Sequence, residues 1–426
     1  MNQLIENPKS PGKSSRASRL PFFEENANLD INNITVEDFL RRFSRTNLEL
    51  YFDRSKILDY LKMKASSFEK EILDRVFCPR SGCKSSDTVK VLDKEGSFNG
   101  YFRCQKCKEK FKPKRFVRSR FNNRTIALTL VNFSEGKTPR ETFQLLVTER
   151  TSILLDHDVL EGLPDEKTLY DILMRSAEKL ANFDELMILF LGGIPCEVLF
   201  CDDAFARKKL SRRQPSANKK QANQRRFSYA IVTMARESRF TIGLHIVSTR
   251  DKKAFRDAFG ITEGRLRSLP KALKGDKLAA MEHAAPFFFP KNLVKHIFRR
   301  LKPWQKKDLM RIERKIKDMR KTISKHQKSG SLKILTYLAI LSMVYLNYIC
   351  PMEEALEGKS PAQTVGIPYP FHPYDWRKFM VWVDWVFSHL PEILKAALKQ
   401  IPGSCLEPCS DTSEELFKRK KKARKQ

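Results

Sequence analysis

The spacing of apolar and polar residues divides the chain into helical and strand-rich stretches. Apolar side chains recur every three or four residues from Val36 to Phe77, which predicts two or three short helices. Short strands separated by glycines are predicted from Cys78 to about Pro113, around four cysteines. Helical spacing returns over residues 121–183. Strands are then predicted at Met187–Leu191, Cys196–Cys201, Phe227–Thr233 and Phe240–Val247. Helices are expected from there to about residue 400.

The longest uncharged stretch, Ile334–Met352, is long enough to raise the question of a membrane-spanning helix. It contains polar residues such as Ser342 and Asn347, and Pro351 interrupts it near its end. We therefore interpret this stretch as a buried core helix. The beginning of the chain has no apolar segment of the kind that a secretory signal requires. Neither secretion nor a membrane partner is expected.

The charge balance narrows the choice of partner. The chain has 426 residues, with 81 Lys and Arg against 50 Asp and Glu, which gives a net charge of +31. A hydrophobic content of 41% excludes a disordered or collagen-like chain. Such an excess of positive charge predicts a polyanionic partner, and nucleic acid is favoured over a membrane surface.

Four of the nine cysteines form two close pairs, Cys78 with Cys83 and Cys104 with Cys107. Each pair is expected on a tight turn, and the strands between the pairs bring the turns together around one ion. Two disulfides, or four unrelated thiols, are the alternatives. We predict a structural Zn²⁺ site, because four thiolates leave no position for a catalytic water.

A strongly basic segment follows this cysteine cluster. Nine of the nineteen residues from Lys106 to Arg124 are Lys or Arg, with Glu109 as the only acid and three phenylalanines between the cations. A segment of this kind is typical of a surface that binds duplex DNA through its phosphates. The residues expected to contact DNA here are Lys112, Lys114, Arg115, Arg118 and Arg120.

A helix-turn-helix is predicted next. Arg124–Phe133 has an apolar helical pattern, and a turn containing Gly136 follows it. Thr138 and Glu141 then have the spacing of a capping box at the start of a second helix, Pro139–Val147. A third helix is predicted from Asp165 to about Leu180. Helix, glycine-containing turn and capped helix are compatible with a DNA-binding helix-turn-helix.

Two adjacent carboxylates follow an apolar strand in the second half of the chain. Cys196–Cys201 leads into Asp202 and Asp203, and a basic loop, a hairpin and a helix come afterwards. A central strand that presents an Asp, followed by two antiparallel strands and a helix, resembles the start of a ribonuclease H-like fold.

Several segments together resemble a DDE-type transposase of the archaeal and bacterial insertion-sequence kind. The resemblance covers about residues 78–367. Its segments are Cys196–Asp203, Phe227–Phe259, KGDKLAAMEHAAPFFFP, LMRIERKIKDMRKTI and MVYLNYICPMEEALEGKSPAQTVGI. The last segment is the most specific, because it is similar to the family's C-terminal signature. That signature is a Tyr-Asn pair, a bend with proline, and a Gly-Lys-Thr/Ser-Pro-Ala turn that leads to a terminal Gly-Ile.

The resemblance implies a metal-dependent catalytic site made of Asp202, Asp276 and Glu313, with Asp203 where a second acid commonly lies. Three carboxylates can hold two Mg²⁺ (or Mn²⁺) ions that act on a phosphodiester. Lys317 and Arg320 share a helical face with Glu313 and are expected to contact the DNA backbone.

The assignment of the second aspartate has rivals. The segment Pro270–Gly275 before Asp276 is less apolar than a catalytic strand should be, which leaves Asp251 and Asp257 as alternatives. Asp257 is disfavoured because it falls within a predicted helix. In the signature, Glu353-Glu354 stands where a more basic or polar pair is expected.

The implied function is a transposase that binds the ends of an insertion element and catalyses DNA strand cleavage and strand transfer. The expected partners are double-stranded DNA (element terminal repeats and target DNA) and a second copy of the chain, in a homodimer or larger assembly. The implied location is the nucleoid-associated cytoplasm of a prokaryote. A transposase-derived DNA-binding protein without nuclease activity is the main alternative, and a zinc-ribbon protein of unrelated function is a third.

The sequence thus predicts a multidomain α+β protein in which a ribonuclease H-like α/β domain, a mixed sheet flanked by helices, follows DNA-binding modules. The predicted order is a flexible basic arm (1–34), a helical N-terminal segment (35–77), a zinc ribbon (78–120), a helix-turn-helix region (121–185), the catalytic domain (186–367), a helical extension (368–409) and a basic tail (410–426).

Overall fold

In the computed structural model, the described residues are 30–73, 75–80, 83–92, 94, 98–112, 115–119, 121, 123–153, 163–207, 227–275, 278–290, 316–319, 332–351, 356–370 and 375–399. Several residues that the sequence assigns to sites lie outside these ranges: Lys114, Arg120, Asp276, Glu313 and Arg320. The basic tail and most of the predicted arm also lie outside them. The last five residues of the arm region are described, and Ile31–Asn33 there form a 3₁₀ turn.

Three short helices open the described chain, as the apolar spacing predicts. They are α1 (Val36–Arg42), α2 (Arg45–Tyr51) and α3 (Arg54–Ser66), and a π-helical turn follows at Glu69–Leu73. The side chains of Thr35 and Asp53 cap α1 and α3 by accepting hydrogen bonds from backbone N–H groups. Their apolar faces are fully buried, with no exposed surface on Phe39, Leu48, Phe52, Ile57 or Leu61.

A three-stranded antiparallel ribbon follows. Its strands are β1 (Thr88–Leu92), β2 (Phe98–Cys104) and β3 (Lys110–Phe111), in the order β1-β2-β3. Thr88 pairs with Cys104, and Phe102 pairs with Phe111. The predicted strands around the cysteine pairs are therefore present.

Helices α4 (Asn123–Ser134) and α5 (Pro139–Ile153) flank a turn in which Gly136 has a φ of 78°. The predicted capping box is present: Thr138 N donates to Glu141 Oε2 at 2.7 Å, and Glu141 N donates to Thr138 Oγ1 at 3.2 Å. The helix–turn–helix order that the sequence predicts is thus observed as local structure.

The next helix, α6 (Glu166–Leu191), is longer than the sequence predicts. The predicted strand Met187–Leu191 is wrong, because these residues form the last turns of α6 and the helix ends at Gly192 in the left-handed conformation. Every residue from Leu186 to Leu191 is buried. Because every side of the helix is covered here, its apolar residues show no helical spacing. Such a run has the same sequence pattern as a buried strand. The predicted boundary between residues 185 and 186 falls inside this helix.

A mixed four-stranded sheet forms the second half of the fold. It contains β4 (Val198–Arg207), β5 (Phe227–Ala235), β6 (Thr241–Val247) and β7 (Ala272–Gly275), in the order β6-β5-β4-β7. Strands β4, β5 and β6 are antiparallel, and β7 is parallel to β4. Helix α7 (Lys252–Arg265) connects β6 to β7 and packs on the sheet. The predicted hairpin is confirmed.

Besides a helical stretch at residues 316–319, five helices complete the described chain: α8 (Ala279–Ala284), α9 (Leu332–Val344), α10 (Pro361–Thr364), α11 (Trp376–Ser388) and α12 (Leu390–Ala397). Helix α9 continues into a π-helical turn, Tyr345–Ile349. Together, Leu332–Ile349 are long and apolar enough to cross a membrane by length and composition alone. Most of this stretch is buried against α6 and β6, as expected for the core helix of a folded domain.

The end of the described chain packs on its beginning. The backbone N–H of Asp53 donates to Ala397 O at 2.8 Å, and Lys399 N donates to Tyr51 O at 2.9 Å. The Trp382 ring meets Phe68 edge-on at 5.9 Å between centroids. Lys399 Nζ also donates to the carbonyl of Glu49, which lies 350 positions earlier in the chain. The helical extension and the N-terminal helices therefore share one core.

A buried ionic network ties α6 to α7 and to the segment after α9. Arg265, 6% exposed, donates to the carboxylate of Asp184 and to the carbonyl of Ile242. Tyr348 Oη donates to the second oxygen of Asp184 at 2.8 Å. Burial lowers the pKa of Arg265 to about 10, so the guanidinium stays charged at neutral pH.

Arg265→Met is expected to lower the free energy of unfolding by about 3–5 kcal/mol, because it leaves the buried charge of Asp184 without its partner. Urea denaturation followed by circular dichroism measures the change. Lys271→Met is the matched control, since Lys271 pairs with Glu197 at 2.8 Å on the surface and should cost less than about 1 kcal/mol. Equal losses for the two variants would contradict a structural role for the network.

Candidate metal centres

The four predicted cysteine ligands lie together at one end of the ribbon. Their sulfur atoms all lie within 4.8 Å of one another. Cys78 Sγ lies 3.5 Å from Cys107 Sγ, and Cys83 Sγ lies 3.6 Å from Cys104 Sγ. All four are free thiols, so the alternative of two disulfides is not observed. A tetrahedral site with metal–sulfur bonds of about 2.3 Å requires sulfur–sulfur distances of roughly 3.8 Å. The group could therefore hold a metal ion such as zinc.

Two similar turns present these sulfurs. Cys78 N donates to Ser85 O, and Cys104 N donates to Glu109 O, both at 2.9 Å. Lys84 and Lys108, each directly after the second cysteine of its pair, have φ values of 44° and 60°. This left-handed conformation costs a residue with a side chain roughly 1–2 kcal/mol. Both turns therefore keep an unfavourable backbone conformation beside the sulfurs.

The thiols differ in how readily they ionise. Burial raises the pKa of Cys78 to about 12. The N–H of Glu109 donates to Cys107 and lowers the pKa of that thiol to about 7. A metal ion binds thiolates, so its binding must remove the proton of Cys78. Cys107 loses its proton more readily, because its pKa is near neutral pH.

The basic segment after the ribbon divides into exposed and structural residues. Lys112 and Arg118 are exposed, and Lys112 Nζ lies 5.1 Å from the centroid of the Tyr101 ring. Arg115 is half-buried and donates to Ser119 O at 2.9 Å, so it also holds a turn. Phe116 and Phe121 are each 1% exposed and belong to the core rather than to a stacking surface.

The two adjacent carboxylates of β4 face opposite sides of the sheet. Asp203, whose side chain is only 5% exposed, accepts from Arg250 Nη1 at 3.1 Å. Side chains alternate along a strand, so Asp202 shares the face of Phe200. Asp202 is half-buried, and its Oδ1 accepts from Asp203 N at 2.7 Å. Asp203 is thus held in an ion pair, and Asp202 lies on the other face.

Residues 316–319 are helical and pack on the face of Asp202. Ile316 and Met319 are buried in one cluster with Phe200 and with Val232, the register partner of Asp202. Lys317 between them is exposed. Glu313 precedes Ile316 by three positions in the sequence. Of the segment that resembles the catalytic helix, residues 316–319 are described, and they lie on the same side of the sheet as Asp202.

Strand β7 runs beside β4, although its sequence has a weak strand pattern. Gly275 pairs with Cys201, the residue before Asp202. A Cβ atom on Gly275 would lie 2.4 Å from the Cys201 carbonyl oxygen, so the strands can approach this closely only at a glycine. Asp276 is the next residue in the sequence after Gly275.

Asp251 and Asp257, the rivals for the second aspartate, both have structural partners. Asp251 caps α7, with Oδ1 accepting from Ala254 N at 2.9 Å and Oδ2 accepting from Thr249 Oγ1 at 2.8 Å. Both hydrogen bonds lower the pKa of Asp251, and the one from Ala254 N has the larger effect. Asp257 lies on α7, with Oδ2 4.0 Å from His245 Nε2. Capping thus accounts for Asp251, whereas Asp257 is an exposed residue of α7 beside a half-buried histidine.

The residues of the C-terminal signature have structural roles. Asn347 accepts from Thr241 N at 2.8 Å and donates to Thr241 O at 3.0 Å, which fixes the segment after α9 to the edge strand β6. Tyr369 donates to Tyr348 O at 2.6 Å and contacts Ser360. These hydrogen bonds therefore hold the segment after α9 against β6 and within the core.

Arg250 contributes to this end of the sheet, although no sequence motif indicates its role. Its guanidinium pairs with Asp203 and lies 5.3 Å from the centroid of the Tyr229 ring. The only signal in the sequence was its position between the end of β6 and the capping Asp251.

Among the described residues, the four cysteines are the only group of three or more potential ligand side chains close enough to share an ion. At the acidic end of the sheet, Asp202 is described, whereas Asp276 and Glu313 are not. The chain matches no protein-family model, and it has no significant match among curated proteins.

Proposed function

We propose that this protein is a DDE-type transposase that binds the ends of a DNA element and catalyses metal-dependent strand cleavage and strand transfer. The observation that carries the proposal is the order of the sheet, β6-β5-β4-β7, with α7 between β6 and the parallel strand β7. It fits the ribonuclease H-like fold that the sequence resemblance implies, with Asp202 on the central strand β4.

The positions of two segments near Asp202 support the proposed catalytic carboxylates. Gly275 pairs with the residue before Asp202, and Asp276 follows it in the sequence. Residues 316–319 pack on the face of Asp202, three positions after Glu313. We assign Asp202, Asp276 and Glu313 as ligands of two Mg²⁺ or Mn²⁺ ions. When bound, such ions activate the attacking oxygen and stabilise the leaving oxygen of a phosphodiester.

The ribbon and the helix-turn-helix support the DNA-binding part of the proposal. A structural Zn²⁺ at Cys78, Cys83, Cys104 and Cys107 would fix the ribbon. Exposed Lys112 and Arg118 would contact phosphates of duplex DNA, together with Lys114 and Arg120 from the same segment. Lys317, exposed on the helical segment at the sheet, would contact the backbone near the catalytic carboxylates, as would Arg320. Because two element ends must be joined, at least two copies of the chain are expected on DNA.

Incubation of the purified full-length protein with labelled duplexes tests the activity. The duplexes carry the sequences that flank the gene, with Mg²⁺, with Mn²⁺ or with a chelator. We expect metal-dependent nicks at the element ends and joined products with target DNA. A protein that binds these duplexes but never cuts them with either metal would overturn the enzymatic proposal and favour a transposase-derived DNA-binding protein.

A further inference from the structure

A cationic aromatic cluster forms where Phe287, in the 3₁₀ turn Ala285–Phe287 after α8, meets the first turns of α7. The Phe287 ring is 55% exposed, whereas Phe289 is 1% exposed. The guanidinium carbon of Arg256 lies 4.1 Å from the centroid of the Phe287 ring, and Lys252 Nζ lies 5.1 Å from it. An exposed aromatic ring is thus flanked by two cations instead of being covered by apolar side chains.

This cluster is close in the chain to Arg250, the partner of Asp203 at the acidic end of the sheet, whereas Asp202 faces the other side. Helix α7 begins at Lys252, two positions after Arg250, which pairs with Asp203. Lys252, Lys253 and Arg256 are all exposed on these turns. Two carboxylates lie nearby, that of Asp251, which caps the helix, and that of Asp257, which lies beside His245, so three exposed cations stand against two acids. The surface next to Asp203 therefore carries a local excess of positive charge.

The combination of a ring, a planar guanidinium and an ammonium group suits one chemical class of ligand. A guanidinium stacked on a ring extends the flat surface on which a nucleobase can stack, and lysines hold the adjoining phosphates. Inside a duplex both faces of each base are covered by its neighbours, so an internal base must leave the stack to reach this ring. Charge and shape together favour single-stranded DNA.

We propose that Phe287, Arg256 and Lys252 bind an unpaired nucleotide of a DNA strand that leads to the carboxylate site. The inference rests on the proposed function, because cleavage at an element end is what would bring a single strand to this cluster. The binding itself requires only the cluster, so it can be tested without turnover.

Photo-cross-linking locates the contact. The full-length protein is irradiated with a short single-stranded oligodeoxynucleotide that contains 5-iododeoxyuridine, and the cross-linked peptide is identified by mass spectrometry. We expect the cross-link on the peptide that contains Phe287, and its loss in Phe287→Ala. Cross-links confined to other aromatic residues, such as Tyr101 of the ribbon, would overturn the inference.

Affinity measurements provide the second readout. Phe287→Ala should weaken binding of the single strand about tenfold, since stacking on one aromatic side chain contributes about this much per base. Phe287→Leu keeps an apolar side chain and should weaken binding almost as much, whereas Arg256→Gln should have a smaller effect. Ile261→Ala is the matched control, because Ile261 is 39% exposed on the same helix. Equal affinity of wild type and both Phe287 variants would contradict the proposal.

The two proposals can fail separately. A wild-type protein that cuts no DNA but cross-links through Phe287 would refute the transposase activity and retain the single-strand site. A protein that cuts element ends while its cross-links avoid Phe287 would retain the activity and refute the site.

Discussion

Asp202→Asn is expected to abolish Mg²⁺-dependent cleavage while it leaves folding and DNA binding unchanged. An amide oxygen can still accept the hydrogen bond from Asp203 N, so the local structure should persist. The substitution removes the negative charge with which Asp202 would hold a divalent metal ion at the proposed site. Metal stabilisation of the transition state is worth several kcal/mol, which corresponds to a loss of roughly a thousandfold in rate. Single-turnover cleavage of labelled duplexes measures this loss, and fluorescence anisotropy measures DNA affinity in parallel.

Asp251→Asn is the control for this experiment, because Asn and Asp cap helices about equally well. It should cut at the wild-type rate, whereas Asp276→Asn and Glu313→Gln should behave like Asp202→Asn. An inactive Asp251→Asn beside an active Asp276→Asn would transfer the role of second ligand to Asp251. Wild-type activity of Asp202→Asn would refute the proposed catalytic site as a whole.

Cys104→Ser is expected to eliminate metal binding and to unfold the ribbon while the rest of the protein remains folded. Cys78, Cys104 and Phe111 form a small cluster of their own, separate from the main core. So small a cluster cannot stabilise three strands alone, and structural zinc contributes about 10–16 kcal/mol in comparable modules. Elemental analysis should find one zinc per chain in the wild type and none in the variant. Hydrogen exchange should show loss of protection confined to the ribbon.

The pH dependence of metal binding has a defined sign. Because zinc must displace thiol protons, above all that of Cys78 with its raised pKa, affinity should fall as the pH decreases and rise as it increases. A competition titration with a chromophoric chelator at several pH values measures this slope.

Cys350→Ser is the control for Cys104→Ser, since Cys350 is half-buried away from the cluster and its substitution should leave the zinc content unchanged. Full zinc content in Cys104→Ser would contradict the assignment.

The parts of the structure that the sequence predicted correctly depend on local spacing. The cysteine pairs are brought together by a hairpin, and the capping box needs only Thr138 and Glu141 three positions apart. The hairpin β5–β6 likewise joins strands that are neighbours in the chain. In each case, the sequence contains both partners of the contact within a short segment.

The features that the sequence does not predict depend on contacts between residues far apart in the chain. Met187–Leu191 was predicted to be a strand because an apolar run gives no periodicity when every side of the helix is covered. The four residues of β7 contain a lysine and a glycine, and their pairing with β4 stabilises a strand that local propensity does not favour. The Arg265–Asp184–Tyr348 network joins three separate segments, and no local pattern in the sequence indicates it.

The contact between the two ends of the described chain has a consequence for protein synthesis. Lys399 meets Glu49 across 350 positions, and a ribosome that adds about 5–20 residues per second needs on the order of twenty to seventy seconds to make that length. During this time the apolar faces of α1–α3 lack α11 and α12, their final covering. Chaperones are expected to occupy these faces on the nascent chain. A gene copy that has lost its 3′ end would therefore yield a protein whose first helices remain open to degradation.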